Sequence, residues 1–124
     1  MILCDTDILI EYLKGNPDIC TELESIGEEN LAISIISYAE LIRGALNQKE
    51  QKNIKVQIIS LSIIHTSEEI SSEFQKILDN YALSHRISIP DALIAATAIT
   101  TNMKLYTRNI KDFKFIKGLI LYKN

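Results

Sequence analysis

Two hydrophobic periods alternate along the chain, and the switches between them mark its elements. Met1–Asp5 is a short apolar run ending in an acid and reads as a buried strand. Asp7 is placed to cap a helix from Ile8 to about Lys14, with Ile8, Leu9, Tyr12 and Leu13 facing inward and Gly15 ending it. Asn16-Pro17 joins a capping residue to proline at the first helical position, so a second helix runs to about Ile26 and stops at Gly27. Leu31–Ser34 is another strand-like run. A helix follows from about Ile36 to Asn47, with Tyr38, Leu41, Ile42 and Ala45 at helical spacing. The more polar stretch from Gln48 to Ile59 is also read as helical.

Leu61–His65 is β-branched and predicts a third strand. Thr66 and Glu69 have the spacing of a capping box, ahead of the strongest helical pattern: Ile70, Phe74, Ile77, Leu78 and Tyr81. Ser88-Ile89-Pro90 opens a further helix through about Thr101. It is rich in Ala and Ile nearly all round, which predicts burial. Met103–Thr107 and Leu119–Tyr122 are the last strands. Strands alternating with helices predict an α/β fold: a three-layer α/β/α sandwich around a mostly parallel sheet of about five strands. No repeat or linker divides residues 1–124, so one domain is expected.

Composition narrows the class. A chain of 124 residues that is 47% hydrophobic buries about two-thirds of its unfolded surface and needs no staples. Disordered and collagen-like classes are excluded. No run suits a membrane span, and no basic segment precedes Asp5, so a cytoplasmic protein is expected. Cys4 and Cys20 have no metal spacing and read as reduced thiols. The 23 Ile exceed what one small core readily hides, which points to a homodimer. Net charge is −3, but it is unevenly spread. Residues 101–124 carry six basic side chains (Lys104, Arg108, Lys111, Lys114, Lys117, Lys123) against Asp112 alone. A solvated lysine face and a phosphate-contacting patch both fit that segment.

Ligands of parallel sheets bind outside the carboxyl ends of the strands. Four segments deliver oxygen donors there: Asp5 after the first strand, Glu40 after the second, Asp91 in the first turn of the Ala-rich helix, and Asn109 with Asp112 after Met103–Thr107. Each has a structural use as well. Asp5 can cap, Ser37-x-x-Glu40 matches a capping box, Asp91 suits a helix dipole, and Asp112 can be a solvated loop acid. Together they point to chemistry, because clustered carboxylates stay ionised only with a compensating cation. Oxygen ligation selects Mg2+, for which Mn2+ can substitute. His65 and His85 fall outside the pattern and read as structural. No phosphate-binding glycine loop, catalytic Ser-His-Asp order or aromatic RNA-binding stripe is evident.

Four stretches, in order, resemble the motifs of PIN domains: Asp5–Ile10, Ser37–Gly44, Pro90–Ala96 and Leu105–Phe113. The length is similar to VapC-like toxins. The resemblance implies a Mg2+-dependent endoribonuclease, usually dimeric, inhibited by a small antitoxin. It implies metal binding by Asp5, Glu40 and Asp91, with Asp112 as candidate fourth catalytic acid. The sequence departs from the wider family at Asn109, where many members carry an acid. If Asn109 opens a helical turn, Asp112 returns to the same face. Thr6 and Thr107 are expected to position water or phosphate, and Lys104, Arg108 and Lys111 to contact RNA. The expected reaction is in-line attack of metal-activated water on single-stranded RNA. The rival readings are a catalytically silent PIN-like binding module and, more distantly, a receiver-type signalling domain. The latter needs an Asp closing the third strand, where this chain has His65-Thr66.

Overall fold

A computed structural model describes residues 1–123. Four short strands form one parallel sheet in the order β3-β2-β1-β4: β1 is Ile2–Cys4, β2 Leu31–Ser34, β3 Ser62–Ile64 and β4 Lys104–Tyr106. The expected strand at Leu119–Tyr122 is reduced to a single parallel bridge, Leu105 to Leu121. Two hydrogen bonds hold it, from Leu105 N–H to Ile120 O (2.9 Å) and from Tyr122 N–H to Leu105 O (2.8 Å). Gly118, at φ +90°, turns the chain into that bridge, a backbone state that favours glycine.

Among the described residues, six α-helices cover the sheet: α1 Thr6–Leu13, α2 Pro17–Ile26, α3 Ile35–Arg43, α4 Gln48–Ile58, α5 Glu68–Tyr81 and α6 Ile89–Thr101. Alternation along the strands divides the core in two. Leu3, Ala32 and Leu105 face α5 and α6, packing with Ile70, Ile77, Ile94 and Phe113. Cys4, Leu31 and Ile33 face the other side, with Ile8, Leu9, Ile19, Leu23, Leu41, Ile54 and Ile58. Burial on that side pushes the Cys4 thiol up to about 12, so it packs as an inert apolar group. The two layers of helices on one sheet are the expected sandwich.

Three caps differ from expectation, each by a short step. Helix α1 starts at Thr6, capped by Asp5 rather than Asp7. Helix α3 is capped by Ser34, so Ser37 and Glu40 do not form a capping box. Helix α5 is capped by Ser67, one residue after Thr66. In the first two cases the side chain nearest the strand end takes the cap, leaving the next polar residue for another use. Helix α3 also stops at Arg43, four residues before Asn47, which instead caps α4. Among the described residues no helix is long and apolar enough to cross a membrane.

Candidate functional site

The strand order reverses at β1, which lies between β2 and β4. Crossovers leave that point in opposite directions and open a crevice at its carboxyl edge. Asp5 stands in that crevice. Its N–H donates to Tyr106 O at 2.9 Å, closing the end of the β1–β4 pair. Its Oδ1 accepts the Thr6 N–H at 2.7 Å, and its Oδ2 accepts the Thr107 hydroxyl at 2.8 Å. Asp5 is only 4% exposed. Burial first, and the charge of Asp7 second, push its carboxyl up to about 7, against the opposing pull of the Thr107 and Thr6 hydrogen bonds.

Asp7 is the residue that sequence reasoning missed as part of this site. Freed from capping by Asp5, its Oδ2 accepts the Arg108 N–H at 3.2 Å and the Asn109 side-chain amide at 3.0 Å. These bonds tie the start of α1 to the loop after β4. Its Oδ1 is buried and has no hydrogen-bond partner. Burial raises its pKa. Two Asp residues competing for one helix cap were the only sequence signal that one of them had a second task.

Glu40 is reached through a row of hydroxyls. Ser34 and Ser37 lie 3.1 Å apart, Ser37 and Thr6 2.8 Å apart, and the Thr6 hydroxyl is 2.8 Å from Glu40 Oε1. Each hydroxyl has one proton and a carboxylate can only accept. The row therefore runs from Ser34 through fully buried Ser37 to Thr6, which donates to Glu40. Asp91 sits in the first turn of α6, its N–H on the Ser88 cap at 3.2 Å. Its pKa is raised by burial foremost and then by the negative charges of Asp112, Glu40 and Asp7, while the Ser88 hydrogen bond lowers it. Acids from four segments thus act on one another.

Asn109 starts a 3-10 turn, Ile110–Asp112, in which the Asp112 N–H returns to Asn109 O at 2.9 Å. The Asn109 N–H donates to Thr107 Oγ1 at 3.0 Å. The expected basic contacts are distributed differently. Lys104 opens β4 beside Ile2, at the amino edge of the sheet and away from the acids. Arg108 pairs with Glu11 at 3.3 Å. Lys111 is exposed next to Asp112.

The acidic side chains brought to the crevice, Asp5, Asp7, Glu40, Asp91 and Asp112, offer carboxylate oxygens as ligands. Among the described residues, no three acidic, histidine or cysteine side chains already converge tightly enough to enclose an ion. The arrangement is an open set of crowded carboxylates with one buried orphan oxygen. That set fits a hydrated hard cation, since Mg2+ keeps several waters and takes one or two carboxylates.

Comparison with known proteins agrees with this geometry. The PIN domain family matches residues 2–118. Ribonuclease VapC1 of Methanocaldococcus jannaschii is 38% identical, over 98% of this chain and 86% of the relative. Ribonuclease VapC10 of Mycobacterium tuberculosis is 35% identical, over 96% of this chain and 90% of the relative. A crystal structure of VapBC2 from Rickettsia felis, bound to a DNA fragment from its promoter, superposes with a TM-score of 0.88 at 30% identity, covering 98% of each chain. With its motifs in order, its strands in the matching fold and its acids at the switch point, this chain belongs to the PIN-domain family.

Proposed function

We propose that the chain is a Mg2+-dependent endoribonuclease that cleaves single-stranded RNA, acting as the toxin of a toxin–antitoxin pair. The observation that carries the reading is the buried Asp5 at the switch point, pinned by Thr6 and Thr107 and crowded by Asp7. Relatives named as ribonucleases, and similar chains solved in toxin–antitoxin complexes, support it.

Asp5 and Asp91 would hold the ion, with Glu40 beside them. When bound, Mg2+ supplies a lowered pKa for water and offsets charge building on the phosphate. Thr107 keeps the Asp5 carboxylate oriented, and Thr6 does the same for Glu40. Glu40, at the end of its hydroxyl row, is placed to orient the attacking water. Asp7 holds Asn109, and with it the turn that presents Asp112. Lys111 is the basic side chain best placed to meet an RNA phosphate. The products expected are a 5′-phosphate and a 3′-hydroxyl.

An antitoxin has a place to bind. A cavity of about 450 Å3 is lined by the apolar Ile10, Leu13, Leu41 and Ile54 and by polar residues that include Lys14, Glu40 and Glu50, so an amphipathic segment seated there would lie against Glu40 of the acidic set. Leu46, Val56, Ile59, Leu83 and Ile89 are exposed apolar side chains, in keeping with a homodimer.

The test is cleavage by purified, antitoxin-free protein. RNA should be cut with Mg2+ or Mn2+, and cutting should stop with chelator. Asp91→Asn should lose most of the rate while staying folded. Full activity in chelator would refute the mechanism. A folded chain that never cuts under any divalent ion would leave the silent binding module as the function.

A further inference from the structure

Outside the acidic crevice, three aromatic rings meet on the surface. Tyr81 is the last residue of α5, and the chain continues helically so that the His85 N–H donates to Tyr81 O at 3.0 Å. This places His85 one turn beyond Tyr81 on the same face. Phe115 comes from the segment after the 3-10 turn. Its ring stacks on His85 with centroids 4.0 Å apart and planes 13° from parallel. Tyr81 stands edge-on to both, at 5.6 Å from His85 and 5.2 Å from Phe115.

The cluster is held from several sides. The Tyr81 hydroxyl accepts the Lys117 N–H at 3.1 Å, fastening the Phe115 segment to α5. The Ser84 hydroxyl lies 2.7 Å from His85 Nδ1 and fixes the ring's rotation. His85 nevertheless remains exposed. A flat ring is thus rigidly presented to solvent, with its supporting ring already in place behind it.

Position and charge say what it presents to. His85 precedes Asp91 by six residues, and Phe115 follows Asp112 by three, so both rings lie on segments that lead into the crevice. Arg86, Lys114 and Lys117 are exposed beside the rings, and none is in an ion pair among the described residues. Arg86 holds a left-handed backbone, φ +53°, which for a residue other than glycine needs support from its surroundings. Flat rings alternating with unpaired cations match single-stranded nucleic acid, whose bases stack while its phosphates meet the cations.

We propose that His85, backed by Phe115 and Tyr81, is a stacking platform for one nucleobase of the RNA next to the cleavage site, with Arg86, Lys114 and Lys117 on the flanking phosphates. This rests on the ribonuclease reading above and adds a substrate subsite to it. Base stacking tolerates any sequence, so the platform fixes where the strand lies rather than which base is cut.

The test uses the full chain carrying Asp91→Asn and a fluorescein-labelled single-stranded RNA, read by fluorescence anisotropy. Adding His85→Ala should weaken binding by about fivefold or more, the usual loss of one stacked base. His85→Phe should restore it, since only a flat ring is needed. An otherwise identical abasic strand should bind equally to chains with and without His85→Ala. The proposal is overturned if His85→Ala leaves RNA binding unchanged, if it weakens the abasic strand as much, or if the parent chain binds no RNA. It is also overturned if His85→Ala alters the mass by light scattering, for then the rings, with Leu83 and Ile89 beside them, meet a second copy of the chain. The ribonuclease reading is judged separately, by Mg2+-dependent cutting with Asp91 intact. RNA binding that depends on His85 without any cutting would retain the platform and reject the nuclease.

Discussion

Replacing Asp5 by Asn separates the electrostatic cost of the crevice from its structural use. The Asp5 carboxyl stands at about 7 in the folded chain, against an ordinary value of 3.8. The folded state therefore binds this proton more tightly than the unfolded state. Between about pH 4 and pH 7 the folded chain carries more protons, so stability falls as pH rises and levels off above pH 7. The full difference is about 4 kcal/mol. Asn keeps a carbonyl oxygen for the Thr6 N–H but cannot accept from Thr107, which must turn its hydroxyl; that exchange costs about 1 kcal/mol. Asp5→Asn should then be more stable than the parent by about 3 kcal/mol at pH 8 in chelator, or about 10 °C in melting temperature for a chain of this size. The assay is thermal unfolding by circular dichroism from pH 4 to 8, with and without Mg2+. The parent should melt progressively lower toward pH 8 and recover with Mg2+, while the variant should show a much flatter profile and little response. Residual slope belongs to Asp7 and Asp91, whose pKa values are also raised. A parent whose melting temperature is level across this range, or a variant that unfolds below it at pH 8, would refute the reasoning.

Asp7→Asn should keep one acceptor for the Arg108 and Asn109 donors while removing the charge beside Asp5, so the Asp5 titration should move down in pH by carboxyl NMR. Asp7→Ala loses both bonds and should cost about 1–3 kcal/mol in urea unfolding. Asp112→Asn should slow cleavage less than Asp5→Asn does, with the deficit shrinking at high Mg2+, and should lower the Asp91 pKa; unchanged cleavage and titration would make Asp112 a surface acid. Asn109→Asp should retain activity but lose its amide bond to Asp7, seen as faster hydrogen exchange at Arg108. Light scattering at high micromolar concentration should report a dimer, and a monomer there would reject the interface expected from the exposed apolar side chains.

Much of this protein was legible along the chain because its signals are local. The alternation of apolar strands with amphipathic helices, Pro17 and Pro90 in first helical turns, and the Ala-rich burial of α6 depend on neighbours three or four residues away. The acids Asp5, Glu40 and Asp91 were singled out because each follows a strand end or opens a helix, where an α/β sheet collects its ligands. Tertiary structure decided the rest. Strand order cannot be read from strand identity, yet it is the reversal at β1 that sets Asp5 against Thr107, 102 residues away. Which aspartate caps α1 depended on where β1 ends, and that choice released Asp7 to hold Arg108 and Asn109. The Leu119–Tyr122 segment meets β4 through one bridge, Leu105 to Leu121, and that register is set by the tertiary packing rather than by its apolar run. His85 and Phe115 lie 30 positions apart with no shared periodicity, and only the packing of α5 against the chain after β4 stacks them. Patterns of period two or 3.6 record which face a residue turns inward; which distant residues meet is set by the crossovers, and those leave no mark in any short window.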